Sequence, residues 1–139
     1  MKILIPLVFA AAAFAAPALQ AQEAGHVAAA TDAARQWLAL TDAGKPGESW
    51  DQGAPAMRSA VTREKWSEVM GAVRAPLGAV TSRTMKTAEY KKTIPGAPEG
   101  EYVIIQYDTE FANKAGASET VVPMRAADGS WKVSGYFIK

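Results

Sequence analysis

Tyr102-Val103-Ile104-Ile105-Gln106-Tyr107-Asp108-Thr109-Glu110-Phe111-Ala112 is the stretch that decides the fold. β-Branched and aromatic residues dominate it, and their period is two. Val103, Ile105, Tyr107, Thr109 and Phe111 fall on one side; Tyr102, Ile104, Gln106, Asp108 and Glu110 fall on the other. The first set is the more apolar and is the one expected to pack on helices. The same period runs outward through residues 80–93, 118–126 and 130–139. The segments are joined by turn chemistry: Pro95-Gly96-Ala97-Pro98-Glu99-Gly100, Asn113-Lys114-Ala115-Gly116 and Asp128-Gly129. Asp-Gly suits a two-residue hairpin, which needs positive φ angles. Short turns join antiparallel neighbours, so the sequence predicts a four-strand meander. In its last strand Trp131, Val133, Gly135 and Phe137 are expected inward, opposite Lys132, Ser134, Tyr136 and Ile138. Pro123 cannot donate to a ladder inside a flanked strand, so a bulge is expected near it.

Upstream, the period changes to that of helices. Val27, Ala30, Ala34, Leu38 and Thr41 recur at helical spacing, with Trp37 widening the stripe. Gly44 is placed to cap that helix and Pro46 forbids its continuation. A short helical turn is expected around residues 48–52 with Trp50 as its buried anchor, and another near 55–61. The next helix has Thr62 as cap, Glu64 in its first turn, and Trp66, Val69, Met70 and Val73 as its apolar stripe. Ala75-Pro76 ends it. N-terminal helices packed on a curved four-stranded antiparallel meander make an α+β fold. A curved sheet wrapped on a long helix forms a cone with an open end.

The chain has 139 residues, and the first 21 read as a leader: Met1-Lys2, an uncharged apolar run, then small residues at Ala16, Ala18 and Ala21. The apolar run is shorter than the roughly 20 residues a membrane span requires. Residues 22–139 have room for a single α+β domain. The whole chain carries 15 Lys+Arg and 14 Asp+Glu; cleavage after Ala21 removes only Lys2, leaving 14 of each. Balanced, interspersed charge offers no footprint for nucleic acid or an anionic membrane. There is no cysteine, so neither a disulfide, a thiolate metal site nor a lipidated N-terminal cysteine anchor is available. The expected product is secreted, and periplasmic in a Gram-negative cell, with no membrane anchor after cleavage.

Several separated motifs carry a family resemblance. The run from Pro95 to Tyr107, Arg74-Ala75-Pro76-Leu77-Gly78, Glu119-Thr120-Val121 and Trp131-Lys132-Val133-Ser134-Gly135-Tyr136 resemble a bacterial secreted family catalogued as domain of unknown function 4019. The helix carrying Trp37 and the segment around Ser49-Trp50 match too, so the likeness covers roughly residues 34–139. The layout looks like the cystatin-like, or nuclear-transport-factor-2-like, superfamily of cones. The family has no established activity, and such folds host isomerases, dehydratases, binding modules and interaction domains, so the resemblance implies architecture alone.

Chemistry must therefore come from individual residues. One histidine, His26, and no cysteine leave no histidine triad, zinc site or thiol nucleophile to assemble. His26 is expected to be solvated near a frayed terminus. No phosphate loop or dinucleotide fingerprint is present, and no cofactor or metal is called for. Asp108 and Glu110 share a face expected to be solvated. Glu119 opens the third strand, where it can meet Arg83 or Tyr107; a buried carboxylate with such partners is either a site with a perturbed pKa or a structural ion pair. Arg74 suits the last carbonyls of its own helix. Tyr107 and Tyr136 each offer a ring with one polar tip. Arg83, Tyr107, Glu119 and Tyr136 are the candidate ligand-binding residues, and no residue is named catalytic. Three readings follow. The first is a non-enzymatic domain binding a small molecule or an envelope protein through the open end of the cone. The second is a cone-type acid–base enzyme, a lyase, isomerase or hydrolase, using Glu119 with Tyr107 or Arg83. The third is a structural or oligomerising envelope domain with Ile104, Tyr136 and Ile138 as an exposed patch; the sequence fixes neither the ligand nor the oligomeric state.

Overall fold

The computed structural model describes residues 15–139. Four helices, α1 (Ala15–Asp42), α2 (Pro46–Asp51), α3 (Pro55–Ala60) and α4 (Arg63–Arg74), lead through a 3-10 turn at Ala75–Leu77 into the sheet. Its strands are β1 (Val80–Lys91), β2 (Tyr102–Phe111), β3 (Lys114–Arg125) and β4 (Trp131–Ile138). They pair in chain order, all antiparallel, which is the expected α+β meander. Most of the expected leader, residues 1–14, lies outside the described residues; positions 15–21 continue α1. No helix among the described residues is long and apolar enough to cross a membrane.

The core sits between α1 and the concave face of the sheet. Ala30, Ala34, Trp37, Leu38 and Thr41 are buried along one stripe of α1. They face Val103, Ile105, Tyr107, Thr109 and Phe111, all buried on β2, so both periodicities hold. Each large apolar side chain so buried contributes about 1.5–3 kcal/mol. The short helices are held by tryptophan hydrogen bonds. Trp37 Nε1 donates to Ser49 O at 2.9 Å, Trp66 Nε1 to Ser49 Oγ at 2.9 Å, and Trp50 Nε1 to Val61 O at 2.8 Å. Ser49, wholly buried, is the hub of this layer. Trp50 itself is only half-buried, less of an anchor than its size suggested. On α4 the stripe is narrower than expected: Met70 is buried and Trp66 partly so, but Val69 and Val73 are exposed. The reason is geometric, since α4 lies against the helical layer and the 3-10 turn instead of against the sheet.

Irregularities give the sheet its curvature. Register shifts on β1 leave Thr81 and Lys86 as extra residues. The expected bulge near Pro123 is present, but its extra residue lies on β4: Val122 pairs with Gly135 and Pro123 with Val133, leaving Ser134 between. One extra residue reverses every side chain beyond it. Trp131 and Val133 therefore point inward as expected, but Tyr136 then turns in and Phe137, 60% exposed, turns out. The outer patch of Ile104, Tyr136 and Ile138 consequently does not form. Phe137 lies across Gly135 instead, within 3.3 Å of where a Cβ would stand.

Two turns also differ from expectation. β3 starts at Lys114, not near 118, because the Gly116 φ of 68° makes a bulge inside the hairpin. At the last hairpin only Gly129 has positive φ. Ala126 N donates to Ser130 O at 2.7 Å and Gly129 N to Ala126 O at 2.9 Å. The loop is thus a type I turn followed by a left-handed glycine, three residues long instead of two.

Candidate functional site

Three of the four candidate residues meet in one buried network. Arg83 on β1 stands beside Thr109 on β2, Glu119 lies on β3, and the bulge in β4 swings Tyr136 toward them. Glu119 is fully buried. Its Oε1 accepts from Arg83 Nε at 2.7 Å and from Thr109 Oγ1 at 2.5 Å. Its Oε2 accepts from Arg83 Nη2 at 3.2 Å and from the Tyr136 hydroxyl. A carboxylate has about four lone-pair sites, and here all are filled.

The network continues into the helices. Arg83 Nη1 donates to Asp42 Oδ2 at 2.7 Å and Nη2 to Oδ1 at 3.1 Å. Arg74 Nη2 donates to the same Oδ1 at 2.8 Å, and its Nη1 donates to Thr41 Oγ1 at 3.1 Å and to the Tyr136 hydroxyl at 3.4 Å. Its guanidinium also stands 5.1 Å from the centre of the Phe111 ring. Arg74 thus reaches across to α1 instead of serving only its own helix end. Glu119, Arg83, Asp42 and Arg74 alternate in sign and sum to zero charge.

Electrostatics follow from this geometry. Burial alone would raise the pKa of Glu119. Hydrogen bonds from Arg83, Thr109 and Tyr136, with the Arg83 charge, outweigh it and hold the carboxyl below its usual range. Asp42 is likewise pushed up by burial and brought down further by Arg83 and Arg74. Burial and the Glu119 charge push the Tyr136 hydroxyl well above its ordinary value, so it remains a donor. Despite the desolvation that opposes it, Arg83 is raised by Asp42 and Glu119. A carboxylate that is ionised and fully bonded has no free site for a substrate proton.

Tyr107 is the candidate that stays apart. It pairs with Glu119 across β2 and β3, yet makes no hydrogen bond to it among the described residues. Burial raises its hydroxyl pKa. With Arg83 it lines a cleft of about 380 Å³ between α1 and β1, whose other walls are Thr31, Arg35, Leu38 and Met85. The Thr31 hydroxyl is buried there without a hydrogen-bond partner. Deeper in, the cone is filled: Trp37 packs edge-on to Tyr136 at 5.2 Å and tilts against Trp66 at 6.1 Å. Asp108 and Glu110 are exposed, as expected.

Asp42 and Thr109 are not among the candidates the sequence offers. Asp42 did leave a signal, because an acidic residue in the last turn of a helix opposes the macrodipole unless a cation answers it. Thr109, polar on the buried face of β2, was another. His26 corrects the expectation of a solvated terminus. Its side chain is 14% exposed, stacked on Tyr90 at 5.4 Å and near Trp131 at 5.6 Å. Its Nε2 lies 3.6 Å from Glu101 Oε1, which also accepts from the Tyr90 hydroxyl at 2.6 Å. No group of three or more His, Cys, Asp or Glu among the described residues is arranged to hold a metal ion.

Residues 33–136 match the family model described as Protein of unknown function (DUF4019). The chain belongs to that family. The matched region spans every member of the charged network, from Asp42 to Tyr136. None of the curated proteins matches this DUF4019 chain. A solved structure at 2.5 Å from Catenulispora acidiphila is similar in fold, with a TM-score of 0.53 and 14% identity over 85% of this chain and 93% of that one. At that identity the likeness concerns architecture only.

Proposed function

We propose that this DUF4019 protein is a secreted, non-enzymatic binding domain, periplasmic in a Gram-negative cell, that takes a small molecule in the cleft between α1 and β1. The observation that carries this reading is the saturation of Glu119. The one fully buried carboxylate among the described residues is committed on all its acceptor sites, which favours binding over acid–base turnover. The cleft falls within the size range of small-ligand sites, and Leu38, Met85 and the Tyr107 ring give it apolar walls. Its cations are already answered: Arg83 by Glu119 and Asp42, and Arg35 by Asp32 at 2.6 Å. The favoured ligand is therefore uncharged and mostly apolar, with a hydroxyl or amide for the polar rim. Cleavage after Ala21 fits this reading, since residues 16–21 are exposed and their loss removes no buried side chain among the described residues.

Native mass spectrometry of the protein purified from a periplasmic extract tests the proposal. A stoichiometric adduct is expected in the wild type, and its loss in Met85→Trp, which fills the cleft from an exposed position. An adduct retained by that variant, or none in either protein, contradicts the proposal.

A further inference from the structure

Tyr107 is the group in the cleft between α1 and β1 that packing alone does not explain. It is only 6% exposed, yet its hydroxyl has no hydrogen-bond partner among the described residues. A buried tyrosine hydroxyl ordinarily finds one. The other three tyrosines do: Tyr90 donates to Glu101, Tyr102 to Pro98 O and Tyr136 to Glu119. Nor is the Tyr107 oxygen sealed in. The side-chain atoms that are both shut off from solvent and unpartnered are Thr31 Oγ1 and Arg74 Nε, so the Tyr107 hydroxyl opens onto the cleft its ring lines.

The polar groups around that hydroxyl are donors. Arg35 and Arg83 line the same cleft, and the charges of both act on Tyr107. One N–H of Arg83, on Nη1, remains after its bonds to Glu119 and Asp42, and Arg35 spends only Nη2, on Asp32. Neither a carboxylate nor a carboxamide lines the cleft, and its apolar walls are Leu38 and Met85. Charge is nevertheless balanced, because Glu119 and Asp42 answer Arg83 and Asp32 answers Arg35. Burial raises the Tyr107 pKa, which keeps its proton in place for donation. The cleft therefore has donors in excess and no unanswered charge. An oxygen that accepts without donating, on a neutral molecule, is what fits both conditions.

We propose that the cleft selects a neutral carbonyl compound, a ketone or ester, whose oxygen accepts from the Tyr107 hydroxyl while its apolar remainder lies along Leu38 and Met85. This rests on the reading of the cleft as the ligand site and narrows the ligand's polar group to a carbonyl. Titrating the 15N-labelled protein with acetophenone, 1-phenylethanol, ethylbenzene and benzoate, which share a ring and differ in the polar group, tests it. Saturable amide shifts at Leu38, Met85 and Tyr107 are expected, with acetophenone the tightest ligand and ethylbenzene at least fivefold weaker. Tyr107→Phe should bring acetophenone down to the affinity of ethylbenzene and leave ethylbenzene unchanged, a pattern that a disturbed fold does not produce. If that variant does not fold, the wild-type ranking decides. Ethylbenzene or 1-phenylethanol binding as tightly as acetophenone, or a preference for acetophenone that survives Tyr107→Phe, overturns the carbonyl assignment while the cleft stands as a ligand site. Benzoate binding tightest overturns it in favour of an anion. No saturable shift at the cleft with any of the compounds overturns the cleft reading and the proposal together.

Discussion

Two carboxylates in this protein have nearly the same partners and very different surroundings. Glu119 accepts from an arginine and a tyrosine, Arg83 and Tyr136, inside the cone. Glu101 also accepts from an arginine and a tyrosine, Arg125 at 3.0 Å and Tyr90 at 2.6 Å, with His26 nearby. Glu119 is completely buried, whereas Glu101 and Arg125 have about a third of their side chains in solvent, 32% and 37%. The difference teaches that hydrogen-bond inventory alone does not set energetic weight. Water can replace any partner Glu101 loses. At Glu119 nothing can, so each broken bond leaves an unsatisfied polar atom in the core.

The largest expected effect is that of Glu119→Gln, which leaves Arg83 and Arg74 to share the single charge of Asp42. It should destabilise the fold by about 3–5 kcal/mol, the cost of removing one partner of a buried pair. The matching Glu101→Gln should fall within about 1 kcal/mol. Urea denaturation of both variants checks the contrast, and similar losses would break it. Next in size are the hydroxyl deletions. Tyr136→Phe removes a bond to a charged, buried acceptor and should cost about 1.5–3 kcal/mol. Tyr90→Phe, whose acceptor remains hydrated, should cost less, and thermal melts of the pair would sharpen the ranking.

The smallest effect is one of pH. Glu119 and Asp42 are held below their ordinary values in the fold. Their contribution is therefore complete above the unfolded pKa values, about 4, and is lost as pH falls through the depressed ones. Tyr90, pushed up to about 12 chiefly by its hydrogen bond to Glu101, acts in the opposite sense. Its contribution is complete below pH ~10 and is lost on the way to the raised value. Stability should be flat near neutrality, with the acid limb shallower in Glu119→Gln and also in Glu101→Gln, since the hydrogen bonds from Tyr90 and Arg125 hold Glu101 below its ordinary value too. Equal acid limbs in all three proteins would contradict this.

What could be read in the sequence divides along the same line. The α1 stripe from Ala30 to Thr41 and the alternation of β2 are local periodicities, and both were legible because burial follows the period of the element. The site was legible in pieces. Glu119 and Arg83 stood out as charges beside apolar strands, and their ion pair was an expected alternative. Tyr136 is a candidate although its strand phase places it outside, and only the extra residue at Ser134 turns it inward. A bulge can be suspected from Pro123, but which strand carries the added residue depends on the pairing partner. Asp42 and His26 were obscured for a related reason. Their partners lie 41 residues away at Arg83 and on β1 and the following loop, and those distances close only when the sheet curves onto α1.

The central claim is that Glu119 is an ionised, saturated structural carboxylate and not a proton-transfer group. Its side-chain carboxyl carbon, followed by 13C NMR through a pH titration of the folded protein, tests this most directly. The expected result is a midpoint below the ordinary glutamate value of about 4.3, with no proton uptake near neutrality. A midpoint near or above pH ~6, the range of a glutamate tuned as a general acid, would contradict the account.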